Sequence, residues 1–226
     1  KNAVIEPKIN SFKNQFLYLS NKNILITGGN SGIGNSIKER MKQFNCNIID
    51  FSLSNNYDIT NFIKINKYIE ENIKNIDIFI NCAGFIEPSS IEQMDIELWN
   101  KHINTNLTGF FNITNQLIPK FNNNGYIITI SSPCAKKTRK DWSAYCCTKA
   151  ALNSFVLNCA EELKEKNIMV NAISPTKTNT KMIKRLFHNI ENKELIEPET
   201  ICNYILNILC DSIKNKTTGV IYEIKN

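Results

Sequence analysis

Apolar and polar positions alternate along the chain on two length scales. Short runs rich in Ile and Val, apolar along most of their length, are typical of parallel strands that helices cover on both faces. Such runs predict six strands, near Asn23–Thr27, Asn47–Ser52, Ile76–Asn81, Gly125–Ser131, Ile168–Ile173 and Gly219–Ile224. Longer amphipathic segments predict helices at Ile33–Phe44, Asn61–Lys74, Ile96–Phe121, Ala144–Lys166 and Pro198–Ile213. The alternation predicts an α/β fold, a doubly wound parallel sheet with helices on both faces.

One domain accounts for this pattern, since 226 residues suffice for one well-buried domain and are few for two. Residues 1–14 are polar and irregular and are interpreted as an N-terminal arm, which leaves residues 15–226 as the domain. Pro119 is expected to end or bend the third helix, because its ring removes a backbone donor. The charged segment from Lys177 to Pro198 follows a strand at the ligand-binding edge of such folds and is interpreted as a mobile lid.

A glycine-rich turn joins the first strand to the first helix and reads Thr27-Gly28-Gly29-Asn30-Ser31-Gly32-Ile33-Gly34. Glycines let the backbone turn tightly and approach a pyrophosphate, and the N-terminus of the following helix faces the phosphate charge. In this strand-turn-helix context the turn predicts a dinucleotide site. The residues assigned to it are Gly28, Asn30, Ser31, Gly32, Ile33 and Gly34.

Tyr145 and Lys149 are four residues apart in a predicted helix and therefore lie on one face of it. A phenol is a poor proton shuttle at neutral pH, but a nearby cation favours the phenolate and lowers the phenol's pKa. Ser132 ends the preceding strand, where its hydroxyl could hold a substrate oxygen against the phenol, and Ser131 is the competing candidate. These side chains predict acid/base chemistry.

The chain resembles the short-chain dehydrogenase/reductase family in several motifs, which occur in the same order as in that family. The turn TGGNSGIG is similar to the family's TGxxxGxG, and the resemblance covers roughly residues 15–226. It continues through Asn81-Cys82-Ala83-Gly84, Asn106, Ser132, Tyr145 with Lys149, and Asn171 to Pro175. It implies a Rossmann fold and an oxidoreductase that moves a hydride between NAD or NADP and a carbonyl or secondary alcohol substrate.

The resemblance also implies residue roles. Tyr145 would be the acid/base, Ser132 is favoured over Ser131 by its spacing from Tyr145, and Lys149 would support Tyr145 and bind the nicotinamide ribose. Asn106 would hold a water that links Lys149 to solvent. Besides Tyr145 and Lys149, the implied dinucleotide contacts outside the turn are Asp58 and Ile59 at the adenine, Asn81, Ala83 and Gly84 after a strand, and Pro175 and Thr180 near the nicotinamide.

The chain departs from the family pattern in three places. The usual NNAG reads Asn81-Cys82-Ala83-Gly84, and the usual PG reads Pro175-Thr176, which is expected to shift the loop beside the nicotinamide. The helix that normally follows the second strand is missing before Tyr57-Asp58-Ile59-Thr60. Because a parallel crossover needs a dozen or more residues, a strand near Tyr57 is expected to be vestigial or unusually connected.

The end of the second strand decides the cofactor. An acidic side chain there binds the ribose diol of NAD, whereas Arg or Lys binds the extra phosphate of NADP. The regular spacing reaches Ser52, and Asp50 lies two residues earlier. Asp50 takes the ribose role if the preceding loop is shortened, and is otherwise an isolated strand carboxylate. No Lys or Arg lies between Lys42 and Lys64, which favours NAD, with NADP as the alternative.

The net charge of +6 comes from 27 basic and 21 acidic residues that are scattered, so no nucleic-acid partner is expected. Basic residues do concentrate in two segments expected to flank the substrate: Lys136, Lys137, Arg139 and Lys140, and Lys177, Lys181, Lys184 and Arg185. The rim is either simply solvated or attracts an anionic substrate or an acidic carrier, as a 3-oxoacyl-carrier-protein reductase would need. Trp142 either stacks on the substrate or anchors an interface.

Composition narrows the remaining classes. Eight cysteines without CxxC spacing are interpreted as reduced thiols, and with only two histidines no metal is expected. No run reaches the roughly 18 apolar residues of a membrane span, and the first residues have no secretion signal, so a cytoplasmic enzyme is expected, although without an initiator Met a removed leader stays open. Apolar residues around the helices at 96–121 and 144–166 predict a homodimer or homotetramer. A non-catalytic dinucleotide-binding scaffold or sensor is the alternative, against which the intact Ser, Tyr and Lys argue.

Overall fold

A computed structural model describes residues 2–4, 17–187 and 189–224. The strands are β1 (Asn2–Val4), β2 (Asn23–Thr27), β3 (Asn47–Phe51), β4 (Ile76–Asn81), β5 (Phe121–Ile130), β6 (Met169–Pro175) and β7 (Ile221–Ile224). The helices are α1 (Gly32–Lys42), α2 (Phe62–Asn72), α3 (Ile96–Ile103), α4 (Gly109–Leu117), α5 (Ser143–Glu162), α6 (Lys181–Leu186) and α7 (Pro198–Asn215). All strands lie in one parallel sheet in the order β1-β7-β6-β5-β4-β2-β3. The predicted doubly wound α/β fold is confirmed.

Two buried clusters, one on each face of the sheet, form the core. On one face Ile24 and Ile26 of β2 pack with Ile37 of α1, in a cluster that also contains the buried side chains of α7. On the other face Leu25, which lies between those two isoleucines in the sequence, belongs to the cluster of α2, α4 and α5. Successive side chains of a strand point to opposite faces, so a strand covered twice must be apolar throughout. This requirement explains the unbroken Ile-rich runs.

The sheet has one strand more than the sequence predicts. β1 lies within the segment interpreted as an arm and pairs in parallel with β7, with Asn2 opposite Ile221. Residues 5–14, the rest of that predicted arm, lie outside the described residues. The six predicted strands are all present, within a few residues of their predicted ends.

The long third helix is interrupted. After α3, residues Asn104–Thr108 are π-helical, and α4 then ends at Leu117, where the 3-10 turn Ile118–Lys120 begins. Pro119 lies in that turn, so the helix ends there as predicted. A π-helical turn holds one extra residue, which rotates the side chains that follow it around the helix axis.

The connection after β3 is short. A 3-10 turn, Leu53–Asn55, follows the strand, and no strand is found near Tyr57 among the residues that the structure describes. The Tyr57 ring instead packs against Phe51 and Tyr68, with centroid separations of 5.0 and 5.1 Å. Aromatic packing therefore covers the sheet beside β3, where the family pattern expects another strand.

Parallel strands bring their carboxyl ends to one edge. The glycine turn follows β2, the segment Cys82–Gly84 follows β4, Ser131 and Ser132 follow β5, and Thr176 follows β6. The chain leaves β2 towards β3 on one side and reaches β4 on the other, which makes this edge a topological switch point, where such folds bind ligands.

Candidate active site

A cavity of about 990 Å³ opens at this edge of the sheet. Its lining combines segments that lie far apart in the sequence but share the carboxyl ends of the strands. They are Ser31–Gly34, Cys82–Gly84, Ile130–Cys134, Tyr145, Lys149, Pro175–Thr178 and much of α6. Most of the predicted site residues thus surround one space.

The glycine turn is shaped by close backbone contacts. Gly28 has a φ of +67°, and a Cβ there would lie 3.0 Å from the Ala83 nitrogen. A Cβ on Gly34 would lie 2.3 Å from the Gly28 oxygen, so the start of α1 packs directly on the turn. Ser31, at the N-cap of α1, makes no side-chain cap hydrogen bond. The first N–H groups of α1 therefore suit a phosphate, and the residues present fit a dinucleotide.

Asp50 lies beneath the turn and is paired. Its Oδ1 accepts hydrogen bonds from the Gly29 N–H, at 3.1 Å, and from the Ser52 hydroxyl. Its Oδ2 is 2.9 Å from the Lys38 Nζ, and both side chains are mostly buried. Asn30 accepts from Lys38 and donates to Ser54 at 2.6 Å. Asp50 is thus not an isolated strand carboxylate, because Gly29, Ser52 and Lys38 all contact it.

Tyr145, Ser132 and Lys149 meet at the floor of the cavity. The side chains of Tyr145 and Ser132 lie close enough to interact, and the Ser132 Oγ accepts a hydrogen bond from the Cys134 N–H at 3.2 Å. The Lys149 Nζ lies 5.6 Å from the Tyr145 ring centroid and donates to the Ile130 carbonyl oxygen at 2.7 Å. A half-buried phenol therefore stands beside a hydroxyl and a buried amine.

Burial dominates the electrostatics of this group. It raises the pKa of Tyr145 above its ordinary value, although the hydrogen bond with Ser132 opposes that shift. It also lowers the pKa of Lys149 to about 8, because the charged form loses its hydration. The sequence argument expected the cation to lower the phenol's pKa, and the direction found here is the opposite. Lys149 can nevertheless exchange its proton near neutral pH.

Of the two serines at the end of β5, Ser132 is the one that affects the pKa of Tyr145. The Ser131 hydroxyl donates to the Asn153 Oδ1 at 2.6 Å, and the Ser131 N–H donates to the Ile173 oxygen. Ser131 thus ties β5 to α5 and β6.

Asn106 lies in the π-helical segment and is 1% exposed. Its Oδ1 accepts from the Phe85 N–H at 2.7 Å, and its Nδ2 donates to the Phe85 oxygen at 2.8 Å and to the Thr148 Oγ1 at 3.1 Å. The amide has thereby used both N–H groups and one acceptor position of its oxygen. Asn106 braces the loop after β4 against α5, one residue before Lys149.

Asn81 belongs to a buried polar chain that the sequence analysis missed in part. The Thr27 Oγ1 donates to the Asn81 Oδ1 at 2.6 Å, and the Asn81 Nδ2 donates to the Thr129 Oγ1 at 2.9 Å. The Ala83 N–H in turn donates to the Thr27 Oγ1 at 3.1 Å. The chain ties the ends of β2, β4 and β5 together and fixes the loop that faces the turn. The available signal was a threonine near the end of β2 and another near the end of β5.

The segment interpreted as a lid is closed at its base by a bridge between Thr178 and Ile196. Pro175 ends β6, and the Thr180 Oγ1 caps α6 by accepting from the Ile183 N–H at 3.3 Å. A Cβ on Gly32 would lie 2.9 Å from the Thr180 Cγ2, so the start of α6 touches the glycine turn.

The remaining predicted contacts lie around the short connection after β3. Ile59 is buried against Gly109 in the core under α4, whereas Asp58 is exposed and its Oδ1 accepts from the Thr60 N–H at 2.9 Å. No cluster of three metal-binding side chains is found among the residues with described positions. Within the same residues no helix is long and apolar enough to cross a membrane.

A phosphate cradle beside a Ser, Tyr and Lys group defines a class, the dinucleotide-dependent oxidoreductases. Residues 55–191 match the sequence profile of the family described as short chain dehydrogenase, and the chain belongs to that family. The 3-oxoacyl-(acyl-carrier-protein) reductase FabG of Buchnera aphidicola subsp. Baizongia pistaciae is 32% identical over 194 residues, which cover 76% of this chain and 78% of the relative.

Another relative in sequence and a solved structure are also similar to this chain. The acetoacetyl-CoA reductase of Allochromatium vinosum is 28% identical over 195 residues, which cover 74% of this chain and 79% of the relative. The ligand-free aldohexose dehydrogenase of Thermoplasma acidophilum has the same fold, with a TM-score of 0.83 at 22% identity over 91% of this chain and 93% of that one. The expected family and reaction class are confirmed: the protein is an NAD(P)-dependent oxidoreductase acting on carbonyl or hydroxyl groups. The alternative of a non-catalytic scaffold or sensor is set aside.

Proposed function

We propose that Tyr145 is the acid/base of this oxidoreductase, giving a proton to the oxygen of a carbonyl substrate or taking it from a secondary alcohol. The observation that carries the proposal is that Ser132, Tyr145 and Lys149 line the same cavity as the glycine turn. A bound nicotinamide supplies or takes up the hydride. The Ser132 hydroxyl holds the substrate oxygen against the phenol while charge develops on it.

Lys149 and Asn106 serve the proton supply in this proposal. Lys149 binds the nicotinamide ribose and, with its pKa lowered to about 8 by burial, passes a proton on near neutral pH. Asn106 holds a water between Lys149 and solvent. The amide oxygen of Asn106 keeps one acceptor position that such a water can use.

The dinucleotide is proposed to extend from Ser132, Tyr145 and Lys149 across the glycine turn. Its proposed contacts are Gly28, Asn30, Ser31, Gly32, Ile33 and Gly34 at the pyrophosphate, Asp58 and Ile59 at the adenine, Asn81, Ala83 and Gly84 beyond β4, and Pro175 and Thr180 beside the nicotinamide. The buried side chain of Asn81 acts there by fixing the Ala83 backbone.

For the cofactor we favour NAD over NADP. Lys38 is the basic side chain bonded to the strand end, and Asp50 and Asn30 already bind it. Ser52, Ser54 and Asn55 surround that position with uncharged groups, which suit a ribose diol better than a phosphate. Ser52 is the proposed ribose contact, with Asp50 orienting its hydroxyl.

A 3-oxoacyl-carrier-protein reductase remains the second candidate. It is favoured by the similarity to the Buchnera aphidicola enzyme of that name and by the basic residues of the cavity mouth. We further propose a homodimer or homotetramer, because large apolar side chains of α4 and α5 are exposed. The proposed location is the cytoplasm.

The variant Tyr145→Phe tests the acid/base role. Turnover is expected to fall by about 100- to 10,000-fold, the usual contribution of a positioned acid/base. Binding of NADH and NADPH, titrated by nicotinamide fluorescence, should stay unchanged, and the same titrations compare the two dinucleotides. Undiminished turnover in this variant would contradict the proposal, whereas lost dinucleotide binding would indicate a structural role for the ring.

A further inference from the structure

Arg139 lies in the loop between Ser132 and Tyr145, and its guanidinium contacts two aromatic rings that also contact each other, with centroids 6.0 Å apart. Its guanidinium carbon is 4.2 Å from the Trp142 ring centroid and 4.4 Å from that of Phe187. Trp142 belongs to the same loop, whereas Phe187 follows α6 in the segment over the cavity. Arg139 and both rings line the cavity. The stacked side chain therefore joins two walls of the mouth.

No carboxylate pairs with Arg139 among the residues with described side chains. The two rings lie on adjacent sides of the guanidinium, because their centroids are only 6.0 Å apart. Arg139 is exposed, so N–H groups on its remaining sides are able to donate to a ligand.

Other basic residues of the rim are differently placed. Lys136 is 2.5 Å from the Glu223 carboxylate, Lys177 is 3.6 Å from that of Glu194, and Arg185 donates to the Ile86 carbonyl oxygen at 2.9 Å. Lys140 is exposed and does not line the cavity. A merely solvated rim explains these residues, but it does not explain why a guanidinium packs against two aromatic rings at the cavity.

Packing also connects Arg139, through Trp142, to Tyr145. The Trp142 ring meets the Tyr145 ring edge-on, with centroids 5.7 Å apart and planes at 90°. The Trp142 ring thus contacts both the Tyr145 ring and the Arg139 guanidinium. The Lys177 Nζ, 4.8 Å from the Phe187 centroid, adds positive charge on that side.

We propose that Arg139 is the specificity residue of this enzyme and binds an oxyanion group, carboxylate or phosphate, carried by the carbonyl substrate. The inference rests on the proposed function, because it requires the carbonyl to lie at Tyr145. A planar guanidinium donates two parallel N–H bonds to such a group, and the contacts with both rings restrict where the guanidinium lies. A bound oxyanion in turn adds a contact between the loop of Arg139 and the segment of Phe187, both of which line the cavity.

Matched probes test this inference. Acetoacetate is compared with its neutral methyl ester, and dihydroxyacetone phosphate with dihydroxyacetone, which separates carboxylate from phosphate. Dissociation constants are measured by calorimetry on the NAD(P)H complex, and kcat/KM wherever a probe is reduced. The wild type is expected to bind one of the two anions more tightly than its neutral counterpart.

Two substitutions and a control localise the effect. Arg139→Gln should weaken binding of that anion by about 100-fold, the loss expected for a charge-assisted bidentate pair, and leave the neutral probe within about twofold. Arg139→Lys should lie in between, because it keeps the charge but not the fork. Lys140→Gln removes a charge from the same loop and should change nothing.

The outcomes separate the two proposals. If neither anion binds better than its neutral counterpart, or if Arg139→Gln weakens both members of a pair equally, the role of Arg139 is wrong. An unchanged melting temperature of Arg139→Gln shows that a lost preference is not a folding defect. Turnover retained by Tyr145→Phe would overturn the acid/base role while leaving the comparison of binding intact.

Discussion

Lys149 places an ionisable amine in a site that is only 4% exposed. Burial lowers its pKa to about 8 from 10.5, because the ammonium loses its hydration and gains only limited compensation from the Ile130 carbonyl oxygen. The site therefore contributes a free-energy cost to folding whenever Lys149 is charged. Because its pKa is lowered, Lys149 can exchange a proton near neutral pH, which the proposed reaction uses.

The cost predicts a pH dependence of stability. Between pH 8 and 10.5 the unfolded chain still binds the Lys149 proton while the folded protein has released it, so the free energy of unfolding rises with pH. Below pH 8 the full penalty is present. The stability of Lys149→Met relative to wild type should therefore decrease by ~2 kcal/mol from pH 8 to 10. Urea unfolding at several pH values measures it.

Lys140→Met is the matched control, because Lys140 is exposed in a loop of the same region. Its stability difference from wild type should stay constant over the same pH range. A constant difference for Lys149→Met as well would show that the amine of Lys149 is not desolvated in the folded protein.

At single residues, a motif predicted which side chains lie around one cavity. Tyr145, Ser132 and Lys149 meet because helix spacing and the end of a strand place them together. The pairing of Asp50 with Lys38 was out of reach, since it depends on how α1 lies over the end of β3. Such contacts between elements leave no pattern in a single sequence.

Among elements, the strands were predictable because burial on both faces demands apolar runs. β1 was not, because a strand of three residues is too short to carry such a signal, and its position depends on the distant β7. The π-helical interruption after α3 was also missed. The bonds of Asn106 to Phe85 and Thr148 hold that segment, and hydrophobic periodicity does not register them.

Among the contacts between elements, the ion pair of Lys38 in α1 with Asp50 in β3 is the one whose loss has the clearest expected effect on stability. Lys38→Met would leave the Asp50 carboxylate buried under the glycine turn without a cation, and should destabilise the protein by ~3 kcal/mol. Binding of NADH should weaken as well, because the carboxylate holds the Gly29 N–H and the Ser52 hydroxyl in place. Denaturant unfolding and a fluorescence titration measure the two effects.

Lys42→Met provides the comparison on the same helix. Lys42 pairs with Glu39 at 2.7 Å, but their side chains are 57% and 53% exposed, so the change should cost at most ~0.5 kcal/mol. Equal effects of the two substitutions would mean that the pair of Lys38 and Asp50 is solvated and does not support the turn.

For the whole molecule, the helix layer of α2, α4 and α5 leaves large apolar side chains exposed. Phe111 of α4 is 48% exposed and Leu157 of α5 is 42% exposed, and Phe111 packs edge-on against Phe155 with centroids 6.0 Å apart. Apolar side chains grouped on one surface mark an interaction site, and a symmetric pair of copies would cover the same surface on each.

This surface predicts the oligomeric state. Light scattering coupled to gel filtration should give a mass two or four times the 25.9 kDa of one chain. Leu157→Glu should shift the protein towards the monomer, because a carboxylate buried in an apolar interface loses its hydration without gaining a partner. Leu17→Glu is the control: Leu17 is 73% exposed, and its neighbours Tyr18 and Leu19 pack on the opposite face of the sheet. A wild type of single-chain mass, or equal dissociation by both substitutions, would show that α4 and α5 do not form the interface.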